Sequence, residues 1–332
     1  MTQDTPLVSI LIRSMDRPTL TRALDSAAAQ TWPAVEIVVV AACGHGHRPL
    51  PAEYGGRPLR LVLPEPDRRL TRPEAANACL DAARGEWLNF LDDDDELLPE
   101  HVQTLLEAPR GEGVRLLYSS ARVHDVDGSL IGYSGRAGYH MQLYNQNRSQ
   151  PVATLFHRSL VEEGARFDPT FPVYEDHDFF INCASRTPFQ WVEAATCIWN
   201  GAIGDSGCGY GPNSNEPQRE QYYQRMREKW AAQFKQWMDE PEALIYLAQH
   251  HLKEGDLALA IRCLERVLVQ RPDDLNALNL YGMACFHDGR IDAALDVLGY
   301  AARLAPDQPA IAANLALVER RTGRSAASVG SG

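Results

Sequence analysis

The run Leu91-Asp92-Asp93-Asp94-Asp95 brings four carboxylates to one spot at the end of an apolar, strand-like segment, Leu88-Asn89-Phe90. Like charges so close repel unless a cation relieves them, so the arrangement suits a divalent cation holding a diphosphate. The same residues also read as a solvated acidic loop leading into a helix that Pro99 opens at its first position. A second constellation, Tyr174-Glu175-Asp176-His177-Asp178, follows Phe167-Asp168-Pro169 and sets three carboxylates and an imidazole within four positions. One such carboxylate, tuned by burial and neighbours, can act as a general base. As a structural feature the same acids fit the first turn of a helix, where they favour its dipole. Arg13 and Arg72 carry the guanidinium fork that suits phosphate oxygens, and read equally well as surface arginines.

The elements that must position these groups alternate between short apolar runs and helical patterns over the first ~200 residues, as in an α/β layer fold. Leu7–Ile12 and Val35–Val40 are β-branched runs of the kind buried in parallel strands. Between them Thr19–Gln30 places Leu20, Ala23, Leu24 and Ala27 on one helical face, and Trp32-Pro33 stops it. Leu59–Leu63, a helix over Glu74–Ala83, and Trp87–Leu91 repeat the pattern, giving a doubly wound, Rossmann-like sheet. Ligands in such sheets bind at the carboxyl ends of the strands, so Arg13-Ser14-Met15-Asp16-Arg17 and Asp92–Asp95 should face one crevice. No glycine-rich phosphate loop follows the first strand, which removes the dinucleotide-fingerprint and Walker readings. Asp127-Gly128 reads as a hairpin turn, and His45 and His47, in a glycine-rich loop without further ligands, read as surface residues. Gly138–Asn147 is rich in aromatic and amide groups able to stack on or hydrogen-bond a ligand, with loop packing the preferred reading.

Composition narrows the classes. The 332 residues exceed the usual single domain, and 32 basic against 44 acidic residues give a net charge of −12. That balance argues against a nucleic-acid partner and against a basic membrane-surface protein. Seven cysteines without paired ligand spacing read as buried thiols of a reducing compartment. No run is long and apolar enough to span a bilayer and no leader pattern opens the chain, so a cytoplasmic protein is expected, with peripheral attachment to the inner face of a membrane left open.

Taken together, residues 6–200 resemble the family 2 inverting glycosyltransferases of GT-A fold. The resemblance runs in order through Val8–Arg13, Arg17-Pro18, Gln30–Pro33, Ala75–Trp87 with Asn77 inside it, Leu91–Asp95 as the DxD motif with Leu97-Leu98-Pro99 after it, Phe167-Asp168, and Glu175-Asp176. It implies transfer of a sugar from a nucleotide-diphosphate sugar, foremost a UDP-sugar, to a hydroxyl of a glycan, lipid-linked or protein acceptor, with inversion at the anomeric carbon. It implies Mn²⁺ or Mg²⁺ on Asp94, with Asp95 as the fallback ligand, and Asp176 as base, with Glu175 and Asp178 as local competitors. Asp92 would orient the ribose or a metal-bound water, and Arg13, Ser14, Arg72, Asn77, Asp92 and Asp93 would surround the nucleotide sugar. Two positions depart from the pattern. The second strand runs on into Ala41-Ala42-Cys43-Gly44 where an acidic reader of the base is usual, and Trp199-Asn200-Gly201 stands where many relatives carry a late histidine; His177 and Asp205 are the substitutes at hand. The glycines at 201, 204, 207, 209 and 211 suit either a flap or a linker. A non-catalytic nucleotide-sugar-binding protein is the alternative.

Beyond ~240 the chain repeats with a period of 34: Gly255, Gly289 and Gly323 share it, as do Ala248, Gly282 and Ala316, and Pro272 with Pro306. This is the tetratricopeptide pattern, read as repeats at 241–274 and 275–308 and a capping helix over 309–321. The expected division is a transferase domain at 1–215, an aromatic linking helix at 216–240, and an all-α repeat domain at 241–325. Bracing and self-association, or capture of a protein partner, are the uses such a short solenoid suits.

Overall fold

The computed structural model describes residues 5–138, 140–147, 149–203, 209, 213–214 and 217–326. Two compact units divide it, Met1–Ala231 and Ala232–Gly332.

In chain order the first unit holds β1 (Val8–Ser14), α1 (Leu20–Ala28), β2 (Val35–Ala41), β3 (Glu53–Tyr54), β4 (Arg57–Val62), α2 (Arg72–Ala82), β5 (Trp87–Asp92), β6 (Glu96–Leu97) and α3 (His101–Glu107). Then come β7 (Leu116–His124), β8 (Leu130–Ser134), β9 (Thr154–His157), α4 (Ser159–Glu162), α5 (Glu175–Ala184), β10 (Phe189–Trp199) and α6 (Arg219–Lys229). The strands form one mixed sheet in the order β3-β4-β2-β1-β5-β9-β7-β10-β6, with β8 paired to β7. β4, β2, β1 and β5 run parallel, and β9 enters antiparallel to both β5 and β7. The chain order reverses at β1, between β2 and β5, which creates a crevice at the carboxyl ends of these strands.

Both faces of the sheet are covered, and alternation along β1 decides which side chain serves which face. Ile10 and Ile12 pack with Leu20 and Leu24 of α1 and Val102 and Leu105 of α3. Leu11 packs on the other face with Ala75, Ala76 and Leu80 of α2 and Phe179 and Phe180 of α5. Each such side chain, fully buried, contributes roughly 1.5–3 kcal/mol. The N-terminus of α2 is set by a capping box in which Thr71 and Glu74 satisfy each other's backbone, with Pro73 in the first turn. One expected start is corrected: α3 begins at His101 with Pro99 outside it, because the Pro99 carbonyl accepts the Thr31 N–H (2.8 Å). The Asp127-Gly128 turn joins β7 to β8, with Gly128 at φ +83°. Cys79, Cys183, Cys197 and Cys285 are buried free thiols, and Cys43 and Cys263 are partly exposed ones.

The second unit holds α7 (Ala231–Met238), α8 (Pro241–Glu254), α9 (Leu257–Gln270), α10 (Leu275–His287), α11 (Ile291–Leu304) and α12 (Pro309–Thr322). Asp256 and Asp274 cap α9 and α10, each side chain accepting a backbone N–H three residues on. Gly282 of α10 meets α11 so closely that an added Cβ would lie 2.5 Å from Leu298 Cγ. The segment expected as a single aromatic linking helix breaks at Trp230 into α6 and α7. Within the first unit Tyr222 packs on Phe171 and Tyr223 on Tyr174; within the second Phe234 packs on Trp237. Among the described residues no helix is long and apolar enough to cross a membrane.

Candidate active site

Because β1 and β5 are parallel neighbours, register alone sets Arg13 opposite Asp92. The guanidinium grips that carboxylate with both arms, Nε to Oδ1 at 2.9 Å and Nη2 to Oδ2 at 2.8 Å. Its third nitrogen reaches Glu175 Oε1 at 3.3 Å. Burial opposes the Arg13 charge, but Asp92 and Glu175 outweigh it and hold the group more firmly protonated than usual. Arg72, half-buried, adds a second cation 3.6 Å from Glu175 and donates to the Pro172 carbonyl at 2.7 Å.

The four consecutive aspartates have separate fates. Asp93 is fully buried and turned inward: it accepts the Met15 N–H (2.7 Å) and pairs with Arg17 Nη1 (2.6 Å), with Ser14 Oγ at 3.4 Å. Ser14 is likewise internal, its hydroxyl accepting from the Asp16 N–H (2.9 Å) and meeting His47 Nε2 at 2.8 Å. Neither is among the residues that line the crevice, and both anchor the β1–α1 loop, where the resemblance implies contact with the nucleotide sugar. His47 is buried as well, against its reading as a surface residue, while His45 is partly exposed and its Nε2 meets the Pro64 carbonyl at 2.9 Å. Asn77, expected beside the nucleotide sugar, clasps the Phe167 backbone at both N–H and C=O (3.0 and 2.8 Å) and is not among the lining residues.

Asp94 faces the cavity with Arg17 at 3.4 Å, and burial followed by the charge on Asp92 raises its carboxyl to about 7. Asp95 is also raised well above the ordinary carboxylate range, by burial and by Asp94. Asn200, at the position examined for a late histidine, ties this turn down: its N–H donates to Asp95 Oδ1 (2.8 Å) and its amide to the Asp94 carbonyl (2.7 Å). His177, the substitute nearest at hand, directs Nε2 to the Leu143 carbonyl at 2.6 Å, and burial lowers its imidazole to about 4. Asp205 and the glycines at 204, 207 and 211 lie outside the described residues. Among the described residues no three His, Cys, Asp or Glu side chains are grouped as a metal cage.

Asp176 enters the same cavity from the first turn of α5. Tyr174, just before it, adopts the left-handed region at φ +61°, which turns the chain sharply into the helix. The Asp176 carboxylate accepts its neighbour's backbone, His177 N–H to Oδ1 at 2.8 Å, and the Asn147 amide to Oδ2 at 3.2 Å. Burial raises Asp176 above the ordinary carboxylate range, against the pull of that N–H, Arg72 and Arg13. Glu175 is also raised by burial, with Asp176 adding to it and Arg72 and Arg13 opposing. Asp178, by contrast, points to α6, bonded to Lys229 Nζ (2.9 Å) and Trp230 Nε1 (2.7 Å).

These groups share a cavity of about 950 Å³ that holds Arg13, Arg72, Asp92, Asp94, Asp95, Glu175 and Asp176 together. Asn145, Gln146 and Asn147 also line it, so the amide-rich stretch preferred as plain loop packing belongs to the site wall. Ala42, Arg69 and Leu70 border the end where β2 carries no acid. Arg17, Asn147 and Asn200 each take their place from partners distant in sequence, which the local pattern does not show.

Residues 9–164 match the family model for glycosyl transferase family 2, and residues 246–309 a model of the tetratricopeptide repeat. The uncharacterized glycosyltransferase YwdF of Bacillus subtilis is 26% identical over 230 residues, 67% of this chain and 83% of that protein. The succinoglycan biosynthesis protein ExoO of Rhizobium meliloti is 34% identical over 114 residues, 34% of this chain and 32% of that protein. Among solved structures, residues 1–349 of S. aureus TarS in complex with UDP align over 96% of this chain and 92% of that one, at 16% identity and TM-score 0.49. Residues 9–164, with the mixed sheet and the acidic turn after β5, are thus a glycosyl transferase family 2 domain, and tetratricopeptide repeats follow it at 246–309.

Proposed function

We propose that this protein transfers a sugar, with inversion, from a nucleotide-diphosphate sugar to an acceptor hydroxyl, with Asp176 as the general base. The observation that carries this reading is that Asp94 and Asp176 line one cavity while Arg13 binds both Asp92 and Glu175 between them. Asp176 is suited to the role because burial raises its basicity while two N–H donors fix its orientation. It would take the proton from the acceptor hydroxyl as that oxygen attacks the anomeric carbon. Glu175, held by Arg13 and Arg72, would keep those cations in place along the donor. Arg17, near Asp94, and Arg69 line the same cavity, and their guanidinium groups would suit phosphate oxygens.

The acidic turn fits a divalent cation shared with the donor better than a protein cage. Asp94 offers hard oxygen donors, and the burial and neighbouring Asp92 charge that raise its carboxyl are what a bound cation would offset. Asp94, backed by Asp95, would hold Mn²⁺ or Mg²⁺, which when bound would offset charge on the diphosphate leaving group. A UDP-sugar is the first donor to test, and a glycan, lipid-linked or protein hydroxyl the acceptor class.

The test is turnover of a panel of UDP-, dTDP- and GDP-sugars with Mn²⁺, Mg²⁺ or chelator. The expected result is metal-dependent release of the nucleotide from one donor, abolished in Asp94→Ala and Asp176→Asn, with Asp176→Asn still binding that donor. A panel with no turnover, and with nucleotide binding indifferent to both substitutions, would sink the assignment and favour a binding protein.

A further inference from the structure

Helix α6 lies beyond the family match, yet it grips the loop that reaches the base. The Arg227 guanidinium lies 4.0 Å from the centre of the Tyr144 ring and 4.5 Å from that of Tyr223. Its Nε donates to the Tyr144 carbonyl (3.1 Å) and its Nη2 to Asn145 Oδ1 (3.0 Å). Tyr223 donates its hydroxyl to the same carbonyl at 2.8 Å. The helix is itself anchored at its C-terminal end by Lys229 and Trp230 on Asp178. The contacts therefore close a circuit, from Asp178 of α5 through α6 to Tyr144 and Asn145, and through Asn147 back to Asp176 of α5.

We propose that Asn147 is a positioning residue for Asp176, and that Arg227 sets the place of Asn147 by holding the turn at Tyr144 and Asn145. This rests on the assignment of Asp176 as base. A terminal carboxylate torsion is soft and nearly two-fold, so the backbone N–H on Oδ1 alone leaves the plane of the group loosely defined. The Asn147 amide on Oδ2 supplies the second point. A donated N–H also favours the charged carboxylate, the form that can accept a proton. The charged groups around Asp176 are Glu175 on its own helix, Arg13 of β1, Arg72 of α2 and Asp92 of β5, with Arg219 and Glu220 of α6 on the cavity wall. Asn147 is neutral, so its replacement by Ala leaves that charge balance in place.

The experiment follows donor hydrolysis by the full chain, with water as acceptor and the donor chosen by the panel above, across pH. Asn147→Ala is expected to lower kcat roughly tenfold to a hundredfold with donor affinity and Tm unchanged. Its acid limb should move up by about one pH unit, and Asn147→Asp should move it further by adding a like charge. Arg227→Lys, which keeps the charge and gives up the fork, should lower kcat in the same direction. Combined with Asn147→Ala, it should cost no more than Asn147→Ala alone. An acid limb unmoved in Asn147→Ala, or losses that multiply in the double variant, overturns the proposal while Asp176 stands as base. Turnover retained in Asp176→Asn overturns both.

Discussion

Two acidic clusters of this molecule look alike in sequence and are built on opposite terms. In the turn after β5, Asp92 and Asp93 are neutralised by arginines from the β1 end, while Asp94 and Asp95 are crowded and pushed up in pKa. At the head of α5, each acid has a separate partner set: arginines for Glu175, N–H donors for Asp176, and Lys229 with Trp230 for Asp178. One cluster concentrates uncompensated charge at a single opening; the other disperses it into three directions. The lesson is that acid count says little until each carboxylate is given its partner.

The largest expected break of this contrast is Asp176→Asn against Asp178→Asn. The first should lose roughly a hundredfold to ten-thousandfold in turnover with the fold intact, and the second should act through stability and the placement of α6. Donor hydrolysis alongside calorimetric Tm separates them. Next in size, Asp93→Ala should cost roughly 3 kcal/mol in a denaturant titration, since it strands the Met15 N–H and removes the shorter of Arg17's ion pairs with Asp93 and Asp94. Gly282→Ala tests a region built on packing alone: the added methyl meets Leu298, and a loss of about 1–3 kcal/mol should appear in the unfolding of the repeat unit. Asp94→Asn should have the opposite sign, stabilising the metal-free protein by about 1 kcal/mol because a buried charge beside Asp92 disappears.

The smallest expected effect is a difference in pH slope. Asp94 has a raised carboxyl, so the folded state binds the extra proton, and its contribution falls as pH rises from the ordinary carboxylate range to about 7. Asp168 runs the other way. Burial disfavours its charge, but Lys229 and Thr170 hold it down to about 2, so its contribution is present above the ordinary carboxylate pKa and lost as pH falls toward about 2. Tm measured across pH in Asp94→Asn and Lys229→Ala should flatten the neutral limb in the first and the acid limb in the second.

What was legible in the chain was whatever repeats or alternates. Ile10, Leu11 and Ile12 announce a strand buried on two faces, and the spacing of Gly255, Gly289 and Gly323 announces paired helices whose turns need φ values of +81°, +82° and +68°. The carboxylates themselves were visible for the same reason, being clustered. Their division of labour was not, because it is written in side-chain closures across the sheet: Arg17 onto Asp93, His47 beneath Ser14, Asn200 under Asp95. Ser14 and Asn77 carry suitable polar atoms and spend them on the backbone and on neighbours, which no local pattern reveals. Asn147 stands out only as part of the amide-rich stretch Gly138–Asn147, because an amide in a loop has no periodicity to single it out or to show that it meets Asp176.

Arg13 belongs to both clusters at once, holding Asp92 of β5 with two nitrogens and Glu175 of α5 with the third. A guanidinium shared in this way makes the two halves of the cavity thermodynamically interdependent. Any ligand that draws Arg13 toward one acid changes the free energy of the other, and by linkage the dependence is mutual. The consequence is an expected order of events: titration calorimetry should find acceptor affinity that depends on whether donor is bound, and donor affinity that shifts by the same factor when acceptor is present.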